Sequence, residues 1–342
     1  MLEKKQTSSW SAVSGLMVRA GLDWFLLALL GMIGLAWLWP EPGIQKGFWS
    51  LDTFADVGVS LIFFFYGLKL SPDKLKAGLT NWRLHLTIHL TTFVLFPVVV
   101  YAVKPFFGEG QAALLWLGAF YVAALPSTVS SSVVMVSIAG GNLPAAIFNA
   151  SISSLIGVFL TPVLMGLVLT DTSGNYDLAG VIWKLTLQVL VPVVLGLGLN
   201  RWLGFLADRY KKQLRYFDQL IILTIVYISF CESFSRHLFD GLTLPDLLLL
   251  GVAMLGLFFL MYGIVYTIGR LLNFNRPDQI TALFCGSKKS LVQGSVMANV
   301  LFPGNAVGVV LLPIMMYHAL QLIAASILAQ RFGSVNERNP AQ

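Results

Sequence analysis

The chain has 342 residues, 57% of them hydrophobic and only 11% charged, with a mean hydropathy of +0.78. An ordinary soluble domain carries about a quarter charged residues, so a water-soluble globule is excluded and the chain reads as an all-α integral membrane protein. Cys231 and Cys285 lie in apolar segments and offer neither a disulfide framework nor a thiolate metal cluster, and the cations behind the net charge of +6 form no aromatic-interleaved basic face, so nucleic acid is set aside.

Residues 1–21 form a cytoplasmic N-terminal segment with Lys4, Lys5 and Arg19, without the apolar core and small-residue cleavage site of a signal peptide. Crossing about 30 Å of hydrocarbon takes roughly 20 apolar residues in a helix. Ten such runs follow, at approximately 22–39, 52–70, 85–104, 111–137, 143–169, 178–199, 214–235, 246–271, 278–302 and 307–330, with a tail at 331–342. With the amino terminus inside, Lys4, Lys5, Arg19, Lys69, Lys74, Lys76, Arg83, Arg201, Arg209, Lys211, Lys212, Arg215, Arg270, Arg276, Arg331 and Arg338 all fall on the cytoplasmic side. Only Lys46, Lys104 and Arg236 fall outside, so the positive-inside rule places both termini in the cytoplasm of a cell with the chain in its inner membrane. Lys184, Lys288 and Lys289 lie within spans. The charged stretch from Arg201 to Arg215 reads either as a cytoplasmic amphipathic connector, over 200–213, or as a solvated linker.

The outer loop at 170–177 leaves five spans on each side, residues 22–169 and 178–330. An odd number per half inverts the second copy relative to the first, which is a transporter arrangement. Its pointer to a binding site is a pair of interrupted spans at matching places. In span four, Pro126 is followed by Ser127, Thr128, Ser130, Ser131 and Ser132. In span nine, Gly286, Ser287, Lys288, Lys289, Ser290, Gln293, Gly294 and Ser295 all fall at membrane depth. Pro126, Gly286 and Gly294 are the expected helix breaks. A shift of 163 residues sets Ser132 on Ser295, Val133 on Val296, Gly141 on Gly304 and Asn142 on Asn305.

A single serine in a membrane helix usually bonds back to its own backbone, but five hydroxyls in six residues after a proline read as a binding cluster. A central lysine costs about 2.5–3.5 kcal/mol to insert and normally faces a partner or a cavity, so one of Lys288 and Lys289 is expected to serve the site. Carboxylates inside spans are scarce: Asp56 in span two and Glu232 near the outer end of span seven, with Asp23, Asp52, Asp218, Asp246 and Asp278 at edges. His85 and His89 have metal-like spacing, but nothing completes a ligand set, so no metal or cofactor is expected. His318 beside Tyr317 reads as packing.

The stretches ALPSTVSSSVVMVSIAGGN with NASISSLIGVFLTP, and FCGSKKSLVQGSVMANVLFP with LLPIMMYHALQLIAASILA, resemble the bile acid:sodium symporter superfamily over roughly residues 25 to 331. SKKSL and MYHALQL resemble its bacterial SBF-like branch, related to the seventh member of human solute carrier family ten. The resemblance implies a panel of spans one, two, six and seven against a core of spans three to five and eight to ten, with spans four and nine broken and crossing. In sodium-coupled members a Ser-Asn pair after the span-four proline, hydroxyls of span five and a span-nine glutamate hold one sodium, and that glutamate with a nearby glutamine helps hold a second. Carried across, the pair falls on Ser131 and Ser132, the span-five positions near Asn149 and Ser153, the glutamine on Gln293 and the glutamate on Lys289. An ammonium at about 4 Å repels a cation by roughly 4 kcal/mol at an effective dielectric of 20. At least one sodium site is therefore expected to be lost. Lys289 is expected to bond Ser131, Ser132 and Asn149 in the sodium's place, or to carry a coupling proton.

The leading expectation is a secondary transporter of a small, anionic organic solute, with sodium or proton coupling, or none, left open. Membrane lipid is the other expected partner, and oligomeric state is open because Gly196 and Gly198 in span six suit either internal packing or a dimer face. An intramembrane enzyme built on Ser287, Ser290 and Lys289, or a regulatory membrane protein, are the other classes considered.

Overall fold

A computed structural model describes residues 24–45, 47, 49–69, 81–173, 183, 186–235, 237, 239–240, 242–302 and 307–338. Lys4, Lys5, Arg19, Lys46, Lys74, Lys76, Lys184, Arg236, Gly304, Asn305 and residues 174–177 of the expected outer loop lie outside the described residues. Among the described residues every regular element is helical.

The helices are α1 (Trp24–Leu38), the short α2 (Glu41–Ile44), α3 (Leu51–Lys69), α4 (Trp82–Leu90), α5 (Phe96–Ala102), α6 (Gln111–Ala124), α7 (Ser130–Ala139), α8 (Leu143–Ser173), α9 (Val191–Arg209), α10 (Lys211–Ser235), α11 (Leu244–Leu271), α12 (Arg276–Gly286), α13 (Leu291–Leu301) and α14 (Val307–Arg338). A π-helical turn, Thr91–Leu95, joins α4 to α5, and a second, Thr186–Leu190, leads into α9. In both places a proline follows two residues later, Pro97 and Pro192. A proline ring clashes with the carbonyl four residues back and has no N–H to give, and widening the turn relieves the clash.

Among the described residues, seven runs are long and apolar enough to cross a membrane: 51–69, 82–106, 143–169, 186–209, 211–235, 244–271 and 307–333. Their lipid-side residues are apolar, as at Leu248, Leu249 and Val252 of α11, all more than 60% exposed. This is a multi-pass membrane protein. Expected span one is the 15-residue α1, and spans four and nine are each split into two helices of 14 residues or fewer. Broken spans fall short of a bilayer piece by piece, which is why length alone does not find them.

The connector expected at 200–213 is helical rather than a solvated linker. Helix α9 runs unbroken to Arg209 and α10 begins at Lys211, with only Tyr210 between them. Residues 201–209 hold no proline and their apolar members line an apolar groove of about 280 Å³: Leu203, Leu206 and Ala207 face Phe64, Phe65 and Leu68 of α3, with Tyr210 and Leu214 closing it. Tertiary burial of that face carries the helix through.

The helices pack in two sets. One holds α1, α3, α9 and α10, and the other holds α4 to α8 and α11 to α14. The sets meet mainly along α10, which lies against α13 and α14. A polar contact also joins them, Asn299 Nδ2 donating to Asp56 Oδ1 at 3.1 Å. Within the first set α3 and α9 approach backbone to backbone at Gly67 and Gly196, where an added Cβ would sit 2.2 Å from Val193 O and 2.1 Å from Phe64 O respectively. A Cβ added at Gly198 would meet nothing within 4 Å.

Gly196→Val is therefore expected to pry α3 from α9 and lower the thermal midpoint of detergent-purified protein by roughly 5 °C. Gly198→Ala should leave the midpoint unchanged or slightly higher, since alanine favours a helix.

Candidate functional site

Pro126 ends α6. The residue before a proline is driven to extended backbone, and Leu125 has ψ 153. Proline also gives no N–H, so the last carbonyls of α6 need other partners. Val122 O accepts from Leu125 N at 3.2 Å, and Ala124 O accepts from Thr161 Oγ1 at 2.7 Å. Pro126 O accepts from Ser290 N at 2.9 Å, so the two interruptions touch. Ala123 O and Leu125 O both accept from Lys289 Nζ, at 2.7 and 2.8 Å.

The third donor of that ammonium goes to Thr92 O at 2.8 Å. Thr92 O is free because of the π turn. Phe96 N–H bonds Thr91 O instead, and the next donor in the widened pattern would be Pro97, which has none. The Phe96 ring lies 4.1 Å from Lys289 Nζ, near enough for a cation–π contact. Three carbonyl acceptors at hydrogen-bond distance match the three N–H groups of an ammonium, one more than a neutral amine has. Lys289, Thr92, Ala123 and Leu125 are all fully buried. Lys289 Nζ also sits at the C-terminal end of α6, where the helix dipole favours a cation.

The backbone of Lys289 is fixed from α14. Its N–H donates to Gln321 Oε1 at 2.8 Å and its carbonyl accepts from Gln321 Nε2 at 2.7 Å. Tyr317 OH donates to Ser287 O at 2.6 Å. Helix α13 then restarts with Ser290 as its cap, its Oγ accepting from Gln293 N at 3.3 Å.

Lys288 points elsewhere. Its Nζ, also fully buried, donates to Ser131 Oγ at 2.7 Å, and Ser131 Oγ is 3.1 Å from Thr128 Oγ1. Neither lysine is paired with a carboxylate among the described residues, where the salt bridges are Lys69 with Asp218 and His237 with Asp240.

Of the expected site residues, Lys288 and Ser131 bond each other and Ser290 bonds Pro126 across the two breaks. Lys289 does not bond Ser131, Ser132 or Asn149: Ser131 takes Lys288, Ser132 Oγ donates to Phe284 O at 3.0 Å, and Asn149 bonds Ala145 O and His85 Nδ1. An adjacent residue in the break faces another way, so the two ammoniums part. Ser153 Oγ accepts from Ser127 N at 2.9 Å. Ser130 opens α7, and its side chain lies outside the described residues. Gln293 Nε2 donates to Ser154 O at 3.3 Å, while Gln293 Oε1, Ser295 Oγ, Ser127 Oγ and both ring nitrogens of His89 are buried without a protein partner. Gly286 is the last residue of α12, just before the break. Gly294 is no break: it lies inside α13, where an added Cβ would sit 2.2 Å from Ile314 Cδ1. The expected grouping of Ser287 and Ser290 with Lys289 does not form, since Ser287 Oγ donates to Leu283 O.

Sequence reasoning passed over Gln321, Thr92 with Pro97, and Tyr121, whose OH donates to Gly294 O at 2.6 Å. The available signal was Gln321 itself, one turn after Tyr317 on the same helix.

With two broken helices apposed around buried lysines, comparison with known proteins is informative. Residues 23–334 match the SBF-like CPA transporter family. The chain belongs to that family. The Pseudomonas aeruginosa protein PA2026 is 42% identical over 91% of this chain and 92% of its own length, and Escherichia coli YfeH is 38% identical over 94% and 96%. The zebrafish (Danio rerio) sodium/bile acid cotransporter 7 is 29% identical over 92% and 94%. These are the names of transporters where they name an activity, and the family is one of transporters, not enzymes.

Gln321→Leu leaves the Lys289 N–H and carbonyl buried without partners. It should cost about 2 kcal/mol or more, measured as a lowered thermal midpoint in detergent.

Proposed function

We propose that the protein is a secondary transporter that carries a small organic anion across the inner membrane by alternating access. Ten spans in two inverted five-helix repeats, 22–169 and 178–330, form a core of spans three to five and eight to ten that moves against a panel of spans one, two, six and seven, with both termini cytoplasmic. The division of the helices into two packed sets that meet mainly along α10 supports a moving boundary there. The observation that carries the reading is the apposition of two broken helices around two buried lysines with no carboxylate among the described residues to neutralise them. Membrane-buried cations of this kind mark solute and ion pathways.

In this reading Lys289 is a built-in cation. It fills the carbonyl cage that the broken α6 opens, and it removes the need for a bound metal ion at that end. Transport is then coupled to protons or to nothing. A second reading, symport with sodium at a residual site, draws on Gln293 Oε1 and Ser295 Oγ, two buried oxygens without protein partners.

The test is thermal stability of purified protein in sodium against potassium at constant ionic strength, because an ion that binds the folded state raises the midpoint by mass action. The wild-type midpoint should be the same in both salts, and Lys289→Glu should be destabilised in potassium and restored by sodium. A sodium-specific rise in the wild type would overturn the built-in cation as sufficient and establish the residual site. Uptake of an anion into proteoliposomes should be saturable and independent of a sodium gradient. An absence of uptake with every anion that binds would end the transporter reading.

A further inference from the structure

The two buried lysines are not equivalent, and the difference assigns a ligand to one of them. Lys289 spends all three donors on backbone carbonyls of fully buried residues. Among the described residues Lys288 spends one, on Ser131 Oγ, and Ser131 is only half-buried. An ammonium at membrane depth with two unspent donors is costly.

Its setting sharpens the point. Ser131 lies in the first turn of α7, a ten-residue helix whose N-cap position, Val129, supplies no side-chain acceptor. The first-turn N–H groups of a helix carry partial positive charge and need acceptors. Helix α13, beginning nearby, is capped by Ser290, and α12 is capped by Asn275, whose Oδ1 accepts from Asp278 N at 2.9 Å. At α7 the side chain that reaches the first turn is another cation. A lysine ammonium and an uncapped helix N-terminus repel each other, and each lacks the same thing, an oxyanion between them.

We propose that Lys288 Nζ, the Ser131 and Thr128 hydroxyls and the first-turn N–H groups of α7 form the binding site for the oxyanion group of the transported solute: a carboxylate, sulfonate or phosphate monoester. This deepens the transporter reading and rests on it for the word transported. The anion sits at the N-terminal end of α7 and takes the two spare donors of Lys288, leaving Lys289 untouched in its cage. The two lysines divide the work: one holds the broken helices together, and the other recognises the solute. Binding the solute neutralises Lys288, which makes the loaded site cheaper to carry through the membrane than the empty one.

The experiment screens wild type, Lys288→Gln and Lys288→Arg in detergent against a library of soluble organic carboxylates, sulfonates and phosphate monoesters. The readout is a saturable rise in thermal midpoint over chloride at equal ionic strength. At least one soluble anion should stabilise the wild type. Its apparent affinity should fall at least tenfold in Lys288→Gln and recover in part in Lys288→Arg, as expected on losing and restoring a charge-assisted bond. If Lys288→Gln does not elute as folded protein, Ser131→Ala replaces it, with a several-fold loss expected. Binding undiminished in these variants, a wild type that ignores every soluble anion, or a Lys288-dependent response to phosphatidylglycerol alone each overturns the assignment. Uptake assays of the same anion separate the two claims. Binding that needs Lys288 without uptake ends the transporter reading and leaves the site. Uptake that survives Lys288→Gln ends the site and leaves the transporter.

Discussion

A peptide carbonyl that loses its helical partner inside a membrane has no water to turn to. Five consecutive carbonyls, Val122 to Pro126, are placed in that position by one proline, and each finds a donor within the protein. Two of the five, with a sixth freed by the π turn before Pro97, are served by one lysine. The rest of the centre depends on that debt being met. Gln321 fixes the backbone of Lys289 so that its side chain reaches the cage, Tyr317 holds Ser287, and Ser290 ties its own break to Pro126 before capping α13. The interruption of span nine needs no proline of its own, because its backbone groups are taken up by α14 and by the break in span four.

The setting of Lys289 Nζ favours a charge by its geometry as well as by its hydrogen bonds. It lies at the negative end of α6 and beside the face of the Phe96 ring, both of which favour a cation. Lys288 faces the opposite polarity at the start of α7. Two adjacent residues of one sequence thus meet two opposite fields, because the helices on either side of a break present opposite ends to it. That division gives the two lysines different settings within a single dipeptide, which is the basis of the separate roles proposed for them.

Much of this was legible in the sequence. Composition excluded a soluble fold, and the apolar runs placed most of the long unbroken helices to within a few residues, while α9 and α14 run on past their expected ends to Arg209 and Arg338. Pro126 and the hydroxyls after it marked one interruption, and the paired lysines marked the other. What the sequence could not supply was direction. Nothing in SKKS says which lysine faces which break, and Lys289 was expected on side-chain hydroxyls when its partners are carbonyls, which every residue carries and no pattern reveals. Gly294 read as a break because glycine interrupts helices on average, yet here it admits Ile314 and Leu125 against α13. The charge of the stretch at 200–213 left a helical connector and a solvated linker both open, and the apolar groove beneath it favours the helix, which runs to Arg209.

The central claim is that Lys289 stands as an ammonium in a cage of three carbonyls and does there what a bound cation would do. Nitrogen-15 labelling of lysine side chains, with the Lys289 signal assigned by its loss in Lys289→Arg, tests this directly. The account predicts a three-proton ammonium signal in slow exchange with water, unchanged when sodium replaces potassium. A two-proton amine, rapid exchange, or a signal displaced by sodium would contradict it.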